Sequence, residues 1–454
     1  MKTKLTKSEL VFIASMLFGL FFGAGNLIFP ILMGQLAGNN MWKAVIGFII
    51  TGVGLPLLGV AAMGISRSDG LIELSGKVGK PYSIFFTCAL YLTIGPLFAI
   101  PRCATTPFTV AIESMLGSDN NHAAILAIFS AAFFIAVLAF SLFPGKILTW
   151  VGKILNPLFL IFLGVLVVAS FVKPMGSIAD AAPTGNYVTK SFMTGFLEGY
   201  NTMDALACLA FGIVVINVIR GLGVTEPKAV AKNTVKAGVF SCLIMAVIYI
   251  LVTVVGAQSR GLIEICENGG EVFALVAEHY FGKVGAMLLA VMVTFACLKT
   301  AVGLVTSCSE TFNMMFPKVP YKVWAVLFSV CSFLIANLGL TAIIEYSIPV
   351  LMFLYPLAIT LILLGLFGGL FGHRQCVYAS VTSFTLIAAV FDLVKALPDA
   401  LKEKFHLGVI VEFADKYIPL FDLGLGWVVP AAVGLVIGLV IMFATPKKSV
   451  KAKA

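Results

Sequence analysis

Residues 17–36 read LFGLFFGAGNLIFPILMGQL, an apolar stretch long enough to cross a bilayer as a helix. Five residues interrupt this helical pattern, because glycine has a low helix propensity and proline lacks a backbone N–H: Gly19, Gly23, Gly25, Asn26 and Pro30. Inside a membrane, unwound backbone persists only where protein or a watery cavity satisfies its polar groups. The stretch therefore predicts a membrane helix that opens at a binding site.

A second interrupted helix is predicted at residues 191–216, SFMTGFLEGYNTMDALACLAFGIVVI. Its first half holds a polar island made of Glu198, Gly199, Tyr200, Asn201, Thr202 and Asp204. A polar network that only joins neighbouring helices would also account for these residues. A site is the favoured interpretation, because ionisable residues inside a span usually face a functional cavity and here they accompany glycine.

The composition requires a membrane environment. Hydrophobic residues make up 60% of the chain and charged residues 11%, with a mean hydropathy of +1.06, whereas about a quarter of an ordinary soluble protein is charged. Long uniform apolar runs, and not short alternating segments, indicate α-helices in contact with lipid. The net charge of +9 comes from cations scattered through short loops, so no nucleic-acid partner is predicted. No obligate protein partner is evident.

Twelve membrane spans are predicted. They begin near Glu9, Lys43, Tyr82, His122, Ile147, Phe192, Thr234, Gly282, Lys322, Leu340, Val377 and Gly424. An even number places both termini on one side, and both termini are rich in lysine, as are the loops on that side. The positive-inside rule therefore puts residues 1–8 and 445–454 in the cytoplasm.

The two interrupted spans are the first and the sixth, which suggests two repeats of five spans each. The first repeat would cover residues 9–172, the second residues 192–368, and spans 11 and 12 would occupy residues 377–444. An odd number of spans per repeat forces the second copy to enter from the opposite face. Interrupted helices at matching places of inverted repeats indicate the central site of a transporter.

Two cations lie deep inside apolar runs instead of in loops. Arg102 belongs to span 3, in GPLFAIPRCATTPF, and Lys299 to span 8, in VTFACLKTAVGLVTSCSETF. A charge at mid-membrane costs about 2.5–3.5 kcal/mol on insertion scales and usually faces a cavity or a partner. Arg102 is predicted either to pair with Glu198 or Asp204 or to gate the site.

The chain carries no sequence pattern for catalysis. P-loop, HExxH, GxSxG and CxxC motifs are absent, so neither nucleotide hydrolysis nor proteolysis has a visible chemical basis. The nine cysteines lack metal-ligand spacing and, with the exception of Cys266, lie in apolar runs. We predict a secondary transporter without an organic cofactor, and not an enzyme.

Four motifs in chain order identify a family resemblance: GAGNLIFP in span 1, GPLFAIPR in span 3, GYNTMDALACLAFGIVV in span 6 and TAVGL in span 8. The chain resembles the BrnQ-type branched-chain amino acid:cation symporters of bacteria, from span 1 to span 12. The resemblance implies a LeuT-like five-plus-five inverted repeat with two additional C-terminal helices in the inner membrane. It also implies uptake of leucine, isoleucine and valine with sodium, or occasionally protons.

The same resemblance implies where the substrate and the cation bind. The substrate's amino and carboxyl groups would meet the broken backbone at Phe22, Gly23, Ala24, Gly25 and Asn26 and at Tyr200, Asn201 and Thr202, with Asp204 beside them. Sodium would lie between Gly19 and Phe22 of span 1 and Ala296, Lys299 and Thr300 of span 8.

Lys299 departs from the family pattern, which usually has an uncharged residue at this position. One hypothesis makes Lys299 a tethered cation that replaces sodium or changes the coupling to protons; the alternative turns it toward a neighbouring carboxylate and leaves sodium binding intact. Three other functions compete more generally: a carrier of another small solute, a channel and a membrane enzyme. The sequence does not rank the three branched-chain substrates.

Overall fold

The computed structural model describes residues 4–445 apart from residues 24, 67, 69, 114–120 and 143–145. Within these residues the chain is almost entirely helical and has no strand. In chain order the α-helices are α1 (Lys7–Phe21), α2 (Gly25–Ala37), α3 (Met41–Ile49), α4 (Leu55–Ile65), α5 (Leu71–Gly76), α6 (Lys80–Leu92), α7 (Ala99–Ala111), α8 (His122–Leu142), α9 (Lys146–Val172), α10 (Ser191–Glu198), α11 (Asp204–Gly221), α12 (Pro227–Ser259), α13 (Gly269–Met315), α14 (Tyr321–Ala336), α15 (Leu340–Phe367), α16 (Gln375–Ala396), α17 (Asp399–Lys404), α18 (Gly408–Tyr417) and α19 (Val428–Ala444).

Many of these helices have the length and composition of membrane spans. Over the described residues, eight helical segments are long and apolar enough to cross a membrane: Gly25–Ile65, Lys80–Val110, His122–Leu142, Asp204–Gly221, Lys228–Ser259, Gly269–Met315, Leu340–Phe371 and Gln375–Ala396. Three shorter apolar segments accompany them, at Leu158–Val172, Tyr321–Ala336 and Val428–Ala444. The prediction of an all-α, multi-pass membrane protein is confirmed, and the count of twelve spans stays a prediction.

Both predicted interruptions are present, and the first is narrower than its sequence indicates. α1 runs through Gly19 to Phe21 and α2 begins at Gly25 and continues through Pro30, so only residues 22–24 separate them. In the second interruption, a 3₁₀ turn at residues 199–202 and Met203 separate α10 from α11. Pro30 lies in the second turn of α2, where it removes one hydrogen bond of the helix, the bond from residue 30 to the carbonyl of residue 26.

Glycines let the two interrupted spans lie directly against their neighbours. A Cβ atom added to Gly34 of α2 would lie 2.0 Å from the Thr253 carbonyl oxygen of α12. A Cβ atom added to Gly195 of α10 would lie 2.0 Å from the Ala44 carbonyl oxygen of α3. Close backbone approach at small residues is how membrane helices gain packing energy, since lipid is as apolar as the helices themselves.

Residues 256–281 and 395–423, which precede the predicted starts of spans 8 and 12, are largely helical. α12 extends to Ser259, and the first part of α13 covers residues 269–281 before the chain bends at Gly282, where φ is +63°. α17 and α18 occupy much of the second segment. The apolar residues of 269–281 are largely buried, and their helical periodicity distinguishes the segment from a loop.

Candidate functional site

A buried cavity of about 60 Å³ lies where the two interruptions meet. Spans 1, 3, 6 and 8 all contribute to its wall, which consists of Phe21, Gly23, Gly25, Asn26, Ile94, Ala99, Arg102, Cys103, Thr202, Met203, Asp204, Ala207, Phe211, Thr300 and Leu304. The wall combines charged and polar groups with apolar side chains. We call this space the central cavity.

Asn26 connects the two interruptions. Its Oδ1 accepts a hydrogen bond from the Gly23 N–H at 2.7 Å, which satisfies an amide freed by the first break. Its Nδ2 donates to Asp204 Oδ2 at 2.6 Å, at the first residue of α11, and also contacts the Tyr249 hydroxyl of α12. Tyr249 in turn donates to the same Asp204 oxygen at 3.0 Å. One amide side chain therefore holds span 1 against span 6.

Arg102 supports the second interruption. The Nη1 atom donates to the Asn201 carbonyl oxygen at 2.8 Å, and the guanidinium lies 5.2 Å from the centre of the Phe29 ring. The side chain is 3% exposed and lines the central cavity with Asp204. Among the described residues it forms no salt bridge, so the predicted pairing with Glu198 or Asp204 is not a direct contact. Span 3 is broken just before this residue, because the backbone of Gly95 is not helical and α7 begins at Ala99.

The other predicted substrate residues divide into two groups. Gly23, Gly25, Asn26, Thr202 and Asp204 line the central cavity, as the resemblance implies.

Tyr200, Asn201, Phe22 and Glu198 do not line it. Tyr200 stacks on Tyr355 with 4.0 Å between ring centres, Asn201 contributes its carbonyl to Arg102, and Phe22 faces a different cavity. Glu198 is half-buried at the end of α10. Ala24 lies outside the described residues.

The five residues expected around sodium line one smaller cavity of about 30 Å³. Its wall consists of Phe18, Gly19, Phe22, Gly23, Leu27, Phe159, Leu160, Val293, Ala296, Cys297, Lys299 and Thr300. The Thr300 hydroxyl donates to the Ala296 carbonyl at 3.1 Å, which leaves its oxygen lone pairs free to accept a cation. Because α1 ends at Phe21, carbonyl groups of its last turn also lack partners within the helix. This donor set fits a small monovalent cation.

Lys299 lies in the wall of that same cavity. The side chain is half-buried and, in the part of the chain that the structure describes, makes no hydrogen bond or salt bridge. A neighbouring carboxylate that would hold the ammonium away from the cavity is therefore not found among these residues.

Sequence reasoning missed Tyr249 and the apolar wall formed by Ile94, Phe211 and Leu304. Tyr249 had a detectable signal, because it is a lone tyrosine in the middle of an apolar span. The three apolar wall residues gave no such signal in the sequence, because an aliphatic or aromatic side chain in an apolar span can face lipid, the protein core or a cavity.

Solved transporter structures share this fold. The chain is similar to Mhp1 in its inward-facing conformation, with a TM-score of 0.62, 13% identity, and coverage of 96% of this chain and 90% of that chain. It is also similar to MhsT in complex with L-phenylalanine, with a TM-score of 0.53, 16% identity, and coverage of 97% and 98%. At these identities the similarity establishes the fold alone.

Sequence comparison establishes the family. The family model for branched-chain amino acid transport proteins matches residues 6–445. The branched-chain amino acid permease BrnQ of Lactobacillus delbrueckii subsp. lactis is 52% identical over 95% of this chain and 96% of its own length, and BrnQ of Bacillus subtilis (strain 168) is 40% identical over 99% and 100%. These relatives are permeases and not enzymes. The chain belongs to the branched-chain amino acid transport protein family.

Proposed function

We propose that this protein takes up leucine, isoleucine and valine by symport with a cation, sodium in the first instance, through alternating access across the bacterial inner membrane. The observation that carries the proposal is the central cavity. Two unwound backbones, a buried guanidinium and a buried carboxylate converge there together with apolar side chains. The names of the relatives supply the substrate class.

The cavity has complementary groups for each end of an amino acid. Arg102 and the positive dipole end at the N-terminus of α2 suit a carboxylate. Asp204 and the carbonyls freed at the breaks suit an ammonium. The wall of Ile94, Phe211 and Leu304 suits a branched aliphatic side chain. Because one methylene changes binding by only about 1–3 kcal/mol, such a wall accepts all three substrates.

Helix packing supports the inverted repeat that alternating access requires. Both halves of the first interrupted span, α1 and α2, pack on α12. In the second half of the chain, α10 packs on α3 and α11 packs on α4, which are the two parts of span 2. The helix of span 7, α12, therefore packs on both halves of span 1, and span 2 packs on both halves of span 6. Each repeat thus packs its second span on the interrupted span of the other repeat, which is the arrangement expected of two related units of opposite orientation within twelve spans.

The smaller cavity supports a position for the coupling ion. Oxygen ligands would come from Gly19, Phe22, Ala296 and Thr300, at the end of α1 and on α13, and a bound cation would supply positive charge beside the first interruption. These residues join span 1 to span 8. The lysine-rich ends of the chain support a cytoplasmic location for both termini.

A second candidate function is favoured by Lys299. Its ammonium lines the same cavity and lacks a counter-ion among the described residues, so it is placed to act as the cation itself. In that case the protein would be a proton-coupled or cation-independent carrier of small apolar amino acids.

Radiolabelled leucine uptake into proteoliposomes tests both candidates, with a sodium gradient and a proton gradient imposed separately. Sodium-driven uptake that unlabelled isoleucine and valine inhibit supports the first candidate. Uptake driven by protons alone, or by neither gradient, supports the second. If none of the three branched-chain amino acids were transported, both candidates would be refuted.

The variant Lys299→Thr separates the candidates further. Under the second candidate, this substitution creates or strengthens sodium dependence, because the tethered charge is removed while Thr300 and the carbonyls remain. Under the first candidate, the sodium requirement is unchanged. Lys283→Thr is the matched control, since Lys283 is exposed at the bend of α13.

A further inference from the structure

Asp392 of α16 is a buried carboxylate that no described residue neutralises. Its side chain is 1% exposed, and neither Oδ1 nor Oδ2 accepts a hydrogen bond from the part of the chain that the structure describes. Burial of an ionised carboxylate is very unfavourable unless hydrogen bonds or a counter-ion compensate for the lost water. The residue lies in span 11, outside the five-span repeats, and plays no part in the site described above.

The nearest cation on the same helix forms no salt bridge with Asp392. Lys395 lies one turn further along α16, but its Nζ donates to Asp415 Oδ1 and to the Phe421 carbonyl, both at 3.0 Å. Its ammonium also lies 4.3 Å from the centre of the Phe421 ring. Three interactions thus hold the Lys395 ammonium on groups other than Asp392.

Closely packed backbone covers the carboxylate on another side. A Cβ atom added to Gly426 would lie 3.2 Å from Asp392 Oδ1. The next residue, Trp427, is buried, and its indole N–H also lacks a partner among the described residues. The Asp392 carboxylate is therefore enclosed by protein and unmatched by charge.

The turn that packs on Asp392 also packs on the second interrupted span. A Cβ atom added to Gly426 would lie 3.2 Å from Asp392 Oδ1, and one added to Gly424 would lie 2.8 Å from Leu197 of α10 and 3.2 Å from Met352 of α15. In the second interruption the Tyr200 ring stacks on Tyr355 of α15 at 4.0 Å, two residues before Thr202, which lines the central cavity. The hydroxyls of both tyrosines are buried and have no hydrogen-bond partner within the described ranges.

We propose that Asp392 is a proton-binding site, occupied in this conformation and linked to the substrate site through the turn that holds Gly424 and Gly426. A protonated acid carries no charge, which explains why the side chain can lie without a counter-ion at this depth. Loss of the proton creates a buried anion against that turn. The turn would then shift, and because it also packs on α10, it would disturb the stacking of Tyr200 on Tyr355 and move the second interruption.

The other titratable groups around Asp392 are engaged or neutral. α16 contributes Lys395, α18 contributes its partner Asp415, and α15 contributes Tyr355. The turn between α18 and α19 contributes Asp422, which forms a salt bridge with Lys190 at 3.1 Å. α19 contributes no ionisable side chain. Asp392 is therefore the group in this neighbourhood whose protonation changes an uncompensated charge.

Infrared difference spectroscopy tests the proton site directly in purified protein in lipid nanodiscs. Raising the pH should remove a carbonyl-stretch band of a protonated carboxylic acid, and Asp392→Asn should lack that band. Asp422→Asn is the matched control, because it removes an exposed carboxylate from the adjacent turn, and it should retain the band. Identical spectra for the wild type and Asp392→Asn would overturn the proposal.

Two substitutions of Asp392 allow loss of the acid band to be distinguished from a failure of the variant to fold. Asn has nearly the size of a neutral Asp and no charge, so Asp392→Asn should fold as the wild type does. Asp392→Glu keeps the acid and should retain a band at a shifted frequency. Absence of any acid band in the wild type would refute the proposal without reference to either variant.

The link to the substrate rests on the proposed function and needs a second measurement. Leucine affinity in the wild type should fall by at least about fivefold over the pH range in which the band disappears, and Asp392→Asn should abolish this fall. Equal pH profiles in both proteins would refute the link. If neither the wild type nor Asp392→Asn bound leucine, the proposed substrate would be wrong. The infrared result would still show whether Asp392 binds a proton.

Discussion

The two interruptions of the transport helices are held open in different ways. The first, at residues 22–24, is stabilised by its own helix, because Asn26 of α2 accepts a hydrogen bond from Gly23. The second, at residues 199–203, depends on another span, because Arg102 of α7 donates to the Asn201 carbonyl. The hydrogen bond between Asn26 and Asp204 joins the two.

This difference indicates how the two halves of the site respond to movement. A break that satisfies its own amide can move with its helix and keep its shape. A break whose carbonyl is held by span 3 changes shape when span 3 and span 6 move apart. We therefore expect substitutions around the first break to affect stability and transport together, and substitutions around the second to affect mainly substrate affinity.

Asn26→Ala should have the largest effect, because it removes a side chain that bonds to both breaks. The Gly23 amide loses its acceptor and the buried Asp204 loses a donor, and hydrogen bonds to charged groups are worth about 1.5–3 kcal/mol each. The summed loss is on the order of 3 kcal/mol, so leucine uptake should fall by roughly a hundredfold. Thermal unfolding in detergent and uptake in proteoliposomes measure the two effects.

Asn337→Ala is the control for that change, since Asn337 bonds to the Phe333 carbonyl of its own helix. It should leave uptake near the wild-type rate. Equal losses in the two variants would show that Asn26 has no special role between the breaks.

Arg102→Gln should have the next largest effect and should act on the second break alone. The Asn201 carbonyl would be left buried without its donor, which costs about 1–3 kcal/mol, and the central cavity would lose its cation. Leucine affinity should fall by about tenfold or more, and the unfolding temperature should fall by less than it does in Asn26→Ala, which loses two such hydrogen bonds. Arg260→Gln is the control, because Arg260 donates to the carbonyls of Gln35 and Ala182 outside the cavity. A loss of stability without a loss of affinity would contradict the expected difference between the breaks.

The two breaks could be predicted from the sequence because glycines and polar residues grouped inside an apolar run favour an opened helix over a continuous one. The five residues that the resemblance places around sodium line one cavity, Gly19, Phe22, Ala296, Lys299 and Thr300, and sodium binding there stays a prediction. The extent of the first break was overestimated because glycine and proline only lower helix propensity, and packing on α12 restores the helix on both sides.

Other features could not be read from one sequence. The central cavity's apolar wall and the pairing of Arg102 depend on which faces of four spans meet, and hydropathy alone does not specify a face. Asp392 was likewise ambiguous, since it lies near a predicted span end where a solvated carboxylate is ordinary. Only its burial in the folded chain distinguishes it.

The glycine contacts of the two interrupted spans test whether both are packed equally tightly. Gly34→Ala and Gly195→Ala each place a Cβ atom 2.0 Å from a carbonyl oxygen of the neighbouring span. Each should lower stability by about 1–3 kcal/mol, as overpacked substitutions usually do. Gly303→Ala is the control, because a Cβ atom there meets nothing within 4 Å among the described residues. If only one of the two variants lost thermal stability, the spans would differ in packing as well as in the support of their breaks.

Met203 should give the smallest effect and one specific to the second break. Its φ is +61°, a left-handed conformation that is especially unfavourable for β-branched side chains. Met203→Leu nearly conserves volume and should cost less than about 1.5 kcal/mol, whereas Met203→Ile should cost about 1 kcal/mol more. The same pair of substitutions at Met63, which lies buried within the right-handed helix α4, should show a much smaller difference. Unfolding temperatures of the four variants measure this contrast, and an equal difference at both positions would show that the second break stores no left-handed strain at Met203.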